Sequence, residues 1–135
     1  MIPRLADLVR GLQKRREAML ALEVEIDTLE LVAEKGEGGV AASLSAKVEE
    51  YSRLSNQLYS GVDQIHELGC FLKDVDLGLV DFCAVHQGHM VYLCWRLGEP
   101  SVGYWHEIGM GYACRQPIPA DFGAPVPPGN LEASS

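Results

Sequence analysis

Two runs of apolar residues that repeat every seven positions constrain the fold of this chain more than any other feature of its sequence. The first run comprises Leu5, Leu8, Leu12, Met19, Leu22, Ile26, Leu29 and Ala33, with Arg15 as its polar break. The second run comprises Leu44, Val48, Tyr51, Leu58, Val62 and Ile65, with Ser55 as its polar position. Such a repeat draws an apolar seam along one side of an α-helix. The sequence therefore predicts two long coiled-coil-like helices, at residues 1–36 and 43–69.

A glycine-rich segment separates the two predicted helices. Gly36, Gly38 and Gly39 lie between the repeats, and glycine is unfavourable inside a helix but readily adopts the positive φ found at helix ends. A connection this short places neighbouring helices antiparallel. Ser43 is the expected N-cap of the second helix, and Gly69 is expected just after its last turn. The predicted unit is a long antiparallel helical hairpin.

The apolar pattern changes from a period of seven to a period of two between residues 78 and 108. Within this segment the Gln87-Gly88 pair can close a two-residue turn between two strands. With that turn, the face predicted to pack on the helices comprises Val80, Phe82, Ala84, Val91, Leu93, Trp95 and Leu97. The opposite, polar face comprises Asp81, Cys83, Tyr92, Cys94 and Arg96. Asp81 is expected directly across from Cys94.

A third strand is predicted from Val102 to Ile108, and the pattern leaves its register open. One register puts Trp105 and Glu107 beside the polar face, and a slip of one residue substitutes Tyr104 and His106. The predicted fold is thus α+β, a helical hairpin followed by a small antiparallel sheet of about three strands.

A single domain is expected over residues 1–117, with the β-meander at 78–108 and an irregular or edge segment at 109–117. Residues 118–135 are rich in proline and small residues, which predicts an extended or flexible tail.

Charge and composition argue against several classes of function. A formal net charge of -8 opposes binding to nucleic acid, and no apolar run approaches the ~20 residues of a membrane helix. The N-terminus lacks an apolar signal segment, so a cytoplasmic location is expected. The four cysteines contain no C-x-x-C pair and are expected to be reduced and mostly buried.

Several motifs in the chain resemble a known family. They are Gly78-Leu79-Val80-Asp81-Phe82, Val91-Tyr92-Leu93-Cys94-Trp95-Arg96-Leu97-Gly98-Glu99, Tyr104-Trp105-His106-Glu107 and Arg115-Gln116-Pro117, with Ile2-Pro3-Arg4-Leu5 near the start. These motifs are similar to those of small bacterial proteins known as domain of unknown function 2203. The resemblance implies a helical hairpin with a C-terminal motif block, and it brings no established activity.

Two functions remain as hypotheses. The preferred one is a non-enzymatic interaction or assembly module, because the hairpin carries more apolar surface than the small sheet can cover and would self-associate or dock a protein partner. The alternative is a small metal- or anion-binding protein or enzyme that uses the polar face of the sheet. The candidate ligand or functional residues are Asp81, Cys94, Arg96, Glu99, Trp105, His106, Arg115 and Gln116.

A divalent metal could use Asp81, His106 and Glu107, but adjacent strand residues point to opposite faces unless the strand is bulged. Cys94 could act as a nucleophile beside Asp81 and His106, although a thiol in the centre of a strand is more often a small buried apolar group. In the purely structural alternative, Asp81 pairs with Arg96 and His106 bonds to the backbone. The sequence identifies neither a cofactor nor a catalytic residue.

Overall fold

The computed structural model describes residues 1–36 and 38–119, which form two helices followed by one antiparallel sheet. Helix α1 spans Ile2–Glu34 and helix α2 spans Ala41–Glu67. The strands are β1 (Cys70–Asp74), β2 (Leu79–His86), β3 (His89–Arg96), β4 (Tyr104–Glu107) and β5 (Gln116–Pro117), in that order across the sheet. A short 3-10 helix, Tyr112–Cys114, precedes β5.

The predicted α+β class is confirmed, but the sheet in the described part of the chain has five strands rather than about three. Strand β1 was missed because it follows Gly69 directly, at the end of a helical pattern, and carries no alternation of its own. Strand β5 is two residues long, too short for any period to show.

Beyond Pro119, the predicted tail lies outside the described residues. No helix within the described ranges is long and apolar enough to cross a membrane.

The two helices pack closely where a glycine faces a leucine. A Cβ atom added to Gly61 would lie 2.5 Å from Cδ2 of Leu12, so only glycine permits this approach. The seam of α2 differs from its prediction, since Leu54 and Gly61 are buried while Val48 is 45% exposed. A straight helix drifts by roughly 20° per heptad relative to a strict seven-residue repeat, so the buried line does not follow the repeat along the whole of α2.

The ends of α2 agree only in part with the sequence. The helix begins at Ala41 with Val40 as its N-cap, and no side chain caps it, so the prediction of Ser43 as N-cap was wrong. Gly69 does adopt a positive φ of 91°, as expected for the residue after the last turn.

The main core lies between the apolar face of the sheet and one end of the hairpin. The helices contribute Leu5, Val9, Leu12 and Ile65, and the sheet contributes Val80, Phe82, Ala84, Val91, Leu93 and Trp95. The six sheet residues were all predicted for the apolar face, and their burial in this core confirms that face. Beyond Leu12, the one further buried residue of α1 is Leu22. The remaining length of the hairpin therefore extends past the sheet.

The strand register determines which side chains share the polar face. Gln87 and Gly88 form the turn with φ values of 51° and 76°, and Asp81 pairs with Cys94, both as predicted. The open register of β4 is settled by the pairing of Tyr92 with His106. His106 therefore joins Asp81 and Cys94 on one side of the sheet.

Candidate functional site

Three potential ligand side chains of different chemistry converge on the polar face. Asp81 comes from β2, Cys94 from β3 and His106 from β4, and all three are buried. Their ligand atoms, one carboxylate oxygen, one sulfur and one ring nitrogen, all lie within 4.8 Å of one another. Nε2 of His106 is 3.2 Å from both carboxylate oxygens of Asp81, and the two side chains are only 5% and 3% exposed.

The protons on the His106 ring follow from its partners. Nδ1 lies 3.0 Å from the backbone oxygen of Glu107, and because a carbonyl oxygen can only accept, Nδ1 carries a proton. Nε2 faces the carboxylate of Asp81, so that contact also needs a proton, on either the ring or the carboxyl group. The pair therefore holds two protons and is neutral overall. Asp81 thus pairs with His106, and not with Arg96 as the purely structural alternative proposed from the sequence.

The Cys94 thiol is part of the same cluster. Burial raises its pKa to about 11, the nearby carboxylate of Asp81 acts in the same direction, and Arg115 opposes both. The free thiol is therefore protonated at neutral pH, which disfavours a role as a ready nucleophile.

Arg115 links the segment after β4 to the turn after β3. Its guanidinium donates two hydrogen bonds to Glu99, at 3.1 and 2.8 Å, in a bidentate ion pair. The same group lies over the rings of Tyr104 and Tyr112, with Cζ 4.0 and 4.2 Å from the two centroids. Such a stacked, bidentate arginine fixes both partners, and lysine has no equivalent geometry.

A second arginine meets the same tyrosine. Nη1 of Arg96 donates to the hydroxyl of Tyr112 at 3.0 Å, and Nη2 of Arg115 donates to it at 3.2 Å. Glu99 completes the arrangement by accepting a 2.7 Å hydrogen bond from the backbone nitrogen of Arg96. The turn, both arginines and Tyr112 thus form one connected network beside the three-residue cluster.

A cavity of about 310 Å³ opens onto the cluster. Its wall is formed by Lys73, Leu79, Asp81, Tyr92, Cys94, His106, Gly109, Met110, Gly111 and Tyr112. Lys73, from β1, lies over the ring of Tyr92 with Nζ 5.1 Å from its centroid. The cavity wall therefore combines potential metal ligands with a lysine and two tyrosines, Tyr92 and Tyr112.

The structure separates the candidate residues into two groups. Asp81, Cys94 and His106 form the cluster, and Arg96, Glu99 and Arg115 form the adjoining network. The remaining three candidates lie outside both groups. Trp105 packs against the apolar core, and both Gln116 and Glu107 are exposed. Glu107 therefore contributes its backbone oxygen to His106, while strand alternation places its side chain on the opposite face of the sheet.

Two cavity residues with polar side chains, Lys73 and Tyr112, were not predicted from the sequence. Lys73 belongs to β1, the strand that was not predicted, and Tyr112 belongs to a 3-10 turn without any period. The one available signal was the short distance in sequence from Tyr112 to Arg115. The prediction of mostly buried cysteines is confirmed, since Cys70, Cys83 and Cys94 are buried and only Cys114 is exposed.

Comparison with known proteins gives one match. A family model described as "Uncharacterized conserved protein (DUF2203)" matches residues 1–118, which confirms the resemblance seen in the motifs. No curated protein and no solved structure matches the chain.

Proposed function

Since the chain belongs to the uncharacterised DUF2203 family, which supplies no activity, we propose from its geometry that the protein binds a divalent transition-metal ion. The ligands are Asp81, Cys94 and His106, and zinc suits the set best because it accepts carboxylate, thiolate and imidazole together. The observation that carries the proposal is the convergence of these three buried ligand atoms within 4.8 Å.

The spacing of the ligand atoms supports a tetrahedral ion. Zinc bonds nitrogen and oxygen at about 2.0–2.2 Å and sulfur at about 2.3 Å, so neighbouring ligand atoms in a tetrahedron lie roughly 3.3–3.6 Å apart. The distance between Nε2 of His106 and Oδ2 of Asp81 is 3.2 Å. An ion could therefore take the position of the shared proton with only small movements of these two side chains, and the sulfur of Cys94, which lies within 4.8 Å of both, would move closer to complete the set.

The surroundings of His106 also suit a metal ligand. A coordinating histidine usually donates its other ring N–H to a carbonyl or carboxylate, which fixes the ring's orientation. The contact between Nδ1 and the backbone oxygen of Glu107 is of this kind. With three protein ligands, the fourth position of a tetrahedral ion would face the cavity and take a water molecule or a bound ligand.

The test is metal binding by variants of the purified full-length chain. After zinc loading and dialysis, elemental analysis should find about one zinc per chain in the parent protein and in Cys83→Ser, a matched control on the same sheet face. Cys94→Ser and His106→Gln should retain little zinc. Cobalt in place of zinc should give a thiolate-to-cobalt charge-transfer band that Cys94→Ser abolishes.

Two results would contradict the proposal. The first is a folded parent protein that retains no zinc after loading, and the second is equal retention by the parent and Cys94→Ser. Circular dichroism of each variant would exclude loss of zinc through unfolding.

A second function, self-association through the hairpin, rests on a different observation. Helix α1 has 33 residues and is about 50 Å long, whereas an eight-residue strand covers about 27 Å. The exposed large apolar residues on the part of the hairpin beyond the core are Leu20, Val24, Leu31 and Val48. A stripe on such a long rod is best covered by a rod of equal length, and a second copy of the hairpin provides one.

Sedimentation velocity tests this second proposal. The parent protein should sediment as a dimer, and Val24→Glu should sediment as a monomer because a buried carboxylate opposes association. Ile108→Glu provides the matched control, since Ile108 is 52% exposed but lies outside the hairpin. A monomeric parent protein would rule the dimer out.

A further inference from the structure

We propose that the same cavity binds the oxyanion group of a small organic molecule, a carboxylate or a phosphate, through Lys73 and Tyr112. The inference shares its cavity with the proposed metal site but does not depend on the metal. It assigns the cavity a class of ligand.

The balance of charge around the cavity favours an anion. His106 neutralises Asp81, and Arg115 neutralises Glu99. Lys73 and Arg96 are left, and neither takes part in a salt bridge among the described residues. Counted over the cavity wall and the adjoining arginine network, the excess is thus two positive charges, in a chain whose formal net charge is -8. Such a local field attracts an anion to this position and away from the rest of the surface.

The same balance holds when a divalent ion is bound. A metal with two positive charges would replace the proton shared by Asp81 and His106 and the proton of Cys94. The carboxylate and the thiolate would then neutralise the ion. Lys73 and Arg96 would remain as the excess cations, so an anion is favoured in both states.

Tyr112 provides a directed hydrogen bond to the ligand. Its hydroxyl oxygen accepts hydrogen bonds from Arg96 and Arg115, at 3.0 and 3.2 Å, and a phenol that accepts still has one O–H to donate. Among the described residues, none accepts a hydrogen bond from this O–H. Tyr112 is also one of the residues that line the cavity. The two guanidinium groups that donate to the oxygen polarise the O–H and strengthen its hydrogen bond to an anion.

Lys73 provides the mobile cation. Its contact in the structure is with the ring of Tyr92, at 5.1 Å from Nζ to the centroid, and such a contact leaves the ammonium donors free for a ligand. The cavity volume of about 310 Å³ is at the lower end for small-molecule sites, so the ligand is a small molecule. Its oxyanion would lie between Nζ of Lys73 and the hydroxyl of Tyr112.

The test is calorimetric titration of the metal-free and the zinc-loaded protein with malonate and, separately, with inorganic phosphate at constant ionic strength. Saturable binding should be weakened about tenfold by Lys73→Met and by Tyr112→Phe, since each removes a charge-assisted hydrogen bond. Lys35→Met is the matched control, because Lys35 is an exposed lysine at the end of α1, and it should leave the affinity unchanged. The anion with the lower Kd identifies the class of oxyanion.

Several outcomes would overturn the inference. These are the absence of saturable binding of either anion, equal binding by the parent and Lys73→Met, and equal weakening by Lys73→Met and Lys35→Met. Zinc retention without anion binding would refute this inference and leave the proposed function standing. Anion binding by a protein that retains no zinc would support this inference and contradict the proposed metal site.

Discussion

Nε2 of His106 lies 3.2 Å from each carboxylate oxygen of Asp81, although the two residues are 25 positions apart in sequence and on strands that are not adjacent. The pair crosses β3, beside Cys94, and is almost completely buried. Removing two ionisable groups from water has a large energetic cost unless each satisfies the other. The pair is therefore expected to be important for stability as well as for the proposed metal site.

Breaking this pair should destabilise the metal-free protein strongly. Asp81→Ala and His106→Ala should each lower the free energy of unfolding by about 3–5 kcal/mol, because each leaves an uncompensated buried group. The double variant should lose less than the sum of the two, since it leaves neither group unpaired. Urea denaturation of the four proteins in chelator measures the coupling.

The exposed pair between Lys47 and Glu25 is the control for this cycle. Its N–O distance is 2.8 Å, but the side chains are 38% and 51% exposed. Its coupling energy should be much smaller than that of the buried pair, because water screens exposed charges. Strictly additive effects for Asp81 and His106 would show that the buried contact contributes no specific stability.

Gly61 should not tolerate even a methyl group. Alanine improves helix propensity by about 1 kcal/mol, but its Cβ would lie 2.5 Å from Cδ2 of the buried Leu12. Overpacking at such a contact costs about 1–3 kcal/mol, so Gly61→Ala should be destabilising overall. Gly11→Ala is the matched control, because its Cβ would meet only the mobile end of Arg15, at 3.0 Å. Gly11→Ala should stabilise the protein in the same urea titration, and equal stabilisation by both variants would contradict the close helix packing.

The parts of the fold that follow a period were predictable from the sequence. The seven-residue repeat and the intervening glycines predicted the two helices, and alternation with Gln87-Gly88 predicted the β2–β3 hairpin, including Asp81 opposite Cys94. Strands β1 and β5 were missed because one follows a helical pattern directly and the other has two residues. A period carries no information in segments that short.

The site was predictable only in part, for a related reason. The residues 97–103 that join β3 to β4 determine the register of His106, and their path depends on contacts such as the hydrogen bond from Trp95 Nε1 to the backbone oxygen of Glu99. Tyr112 reaches the arginines through an irregular turn. Tertiary contacts, rather than any local pattern, bring these side chains to the cavity.

The β2–β3 turn contains an unfavourable residue that can be improved. Gln87 has a φ of 51°, a conformation that costs most L-residues about 1–2 kcal/mol and that asparagine tolerates better. Gln87→Asn should therefore stabilise the protein by about 0.5–1 kcal/mol. Gly88→Ala should destabilise it, because Gly88 has a φ of 76°. Thermal unfolding would measure both, with Gly103→Ala as a neutral control, and a stabilising Gly88→Ala would contradict the positive φ at Gly88.

The buried thiol of Cys70 should make stability depend on alkaline pH. Burial raises its pKa from 9.0 to about 12, and its sulfur donates to the backbone oxygen of Ile65 at 3.3 Å. Between these two values the unfolded chain loses the thiol proton while the folded chain keeps it, so the folded state binds more protons. Its contribution to stability is complete below pH 9.0 and is lost as the pH rises towards 12.

Urea midpoints measured across this pH window should therefore fall more steeply for the parent protein than for Cys70→Ser, whose hydroxyl does not titrate. Other groups also titrate in this range, but they are common to both proteins and cancel in the comparison. Cys114→Ser is the matched control, because it makes the same substitution at an exposed cysteine. It should follow the parent's pH dependence. Parallel curves for the parent and Cys70→Ser would contradict this prediction. They would mean that the Cys70 thiol ionises as easily in the folded protein as in the unfolded one, and that it is not shielded from water in β1.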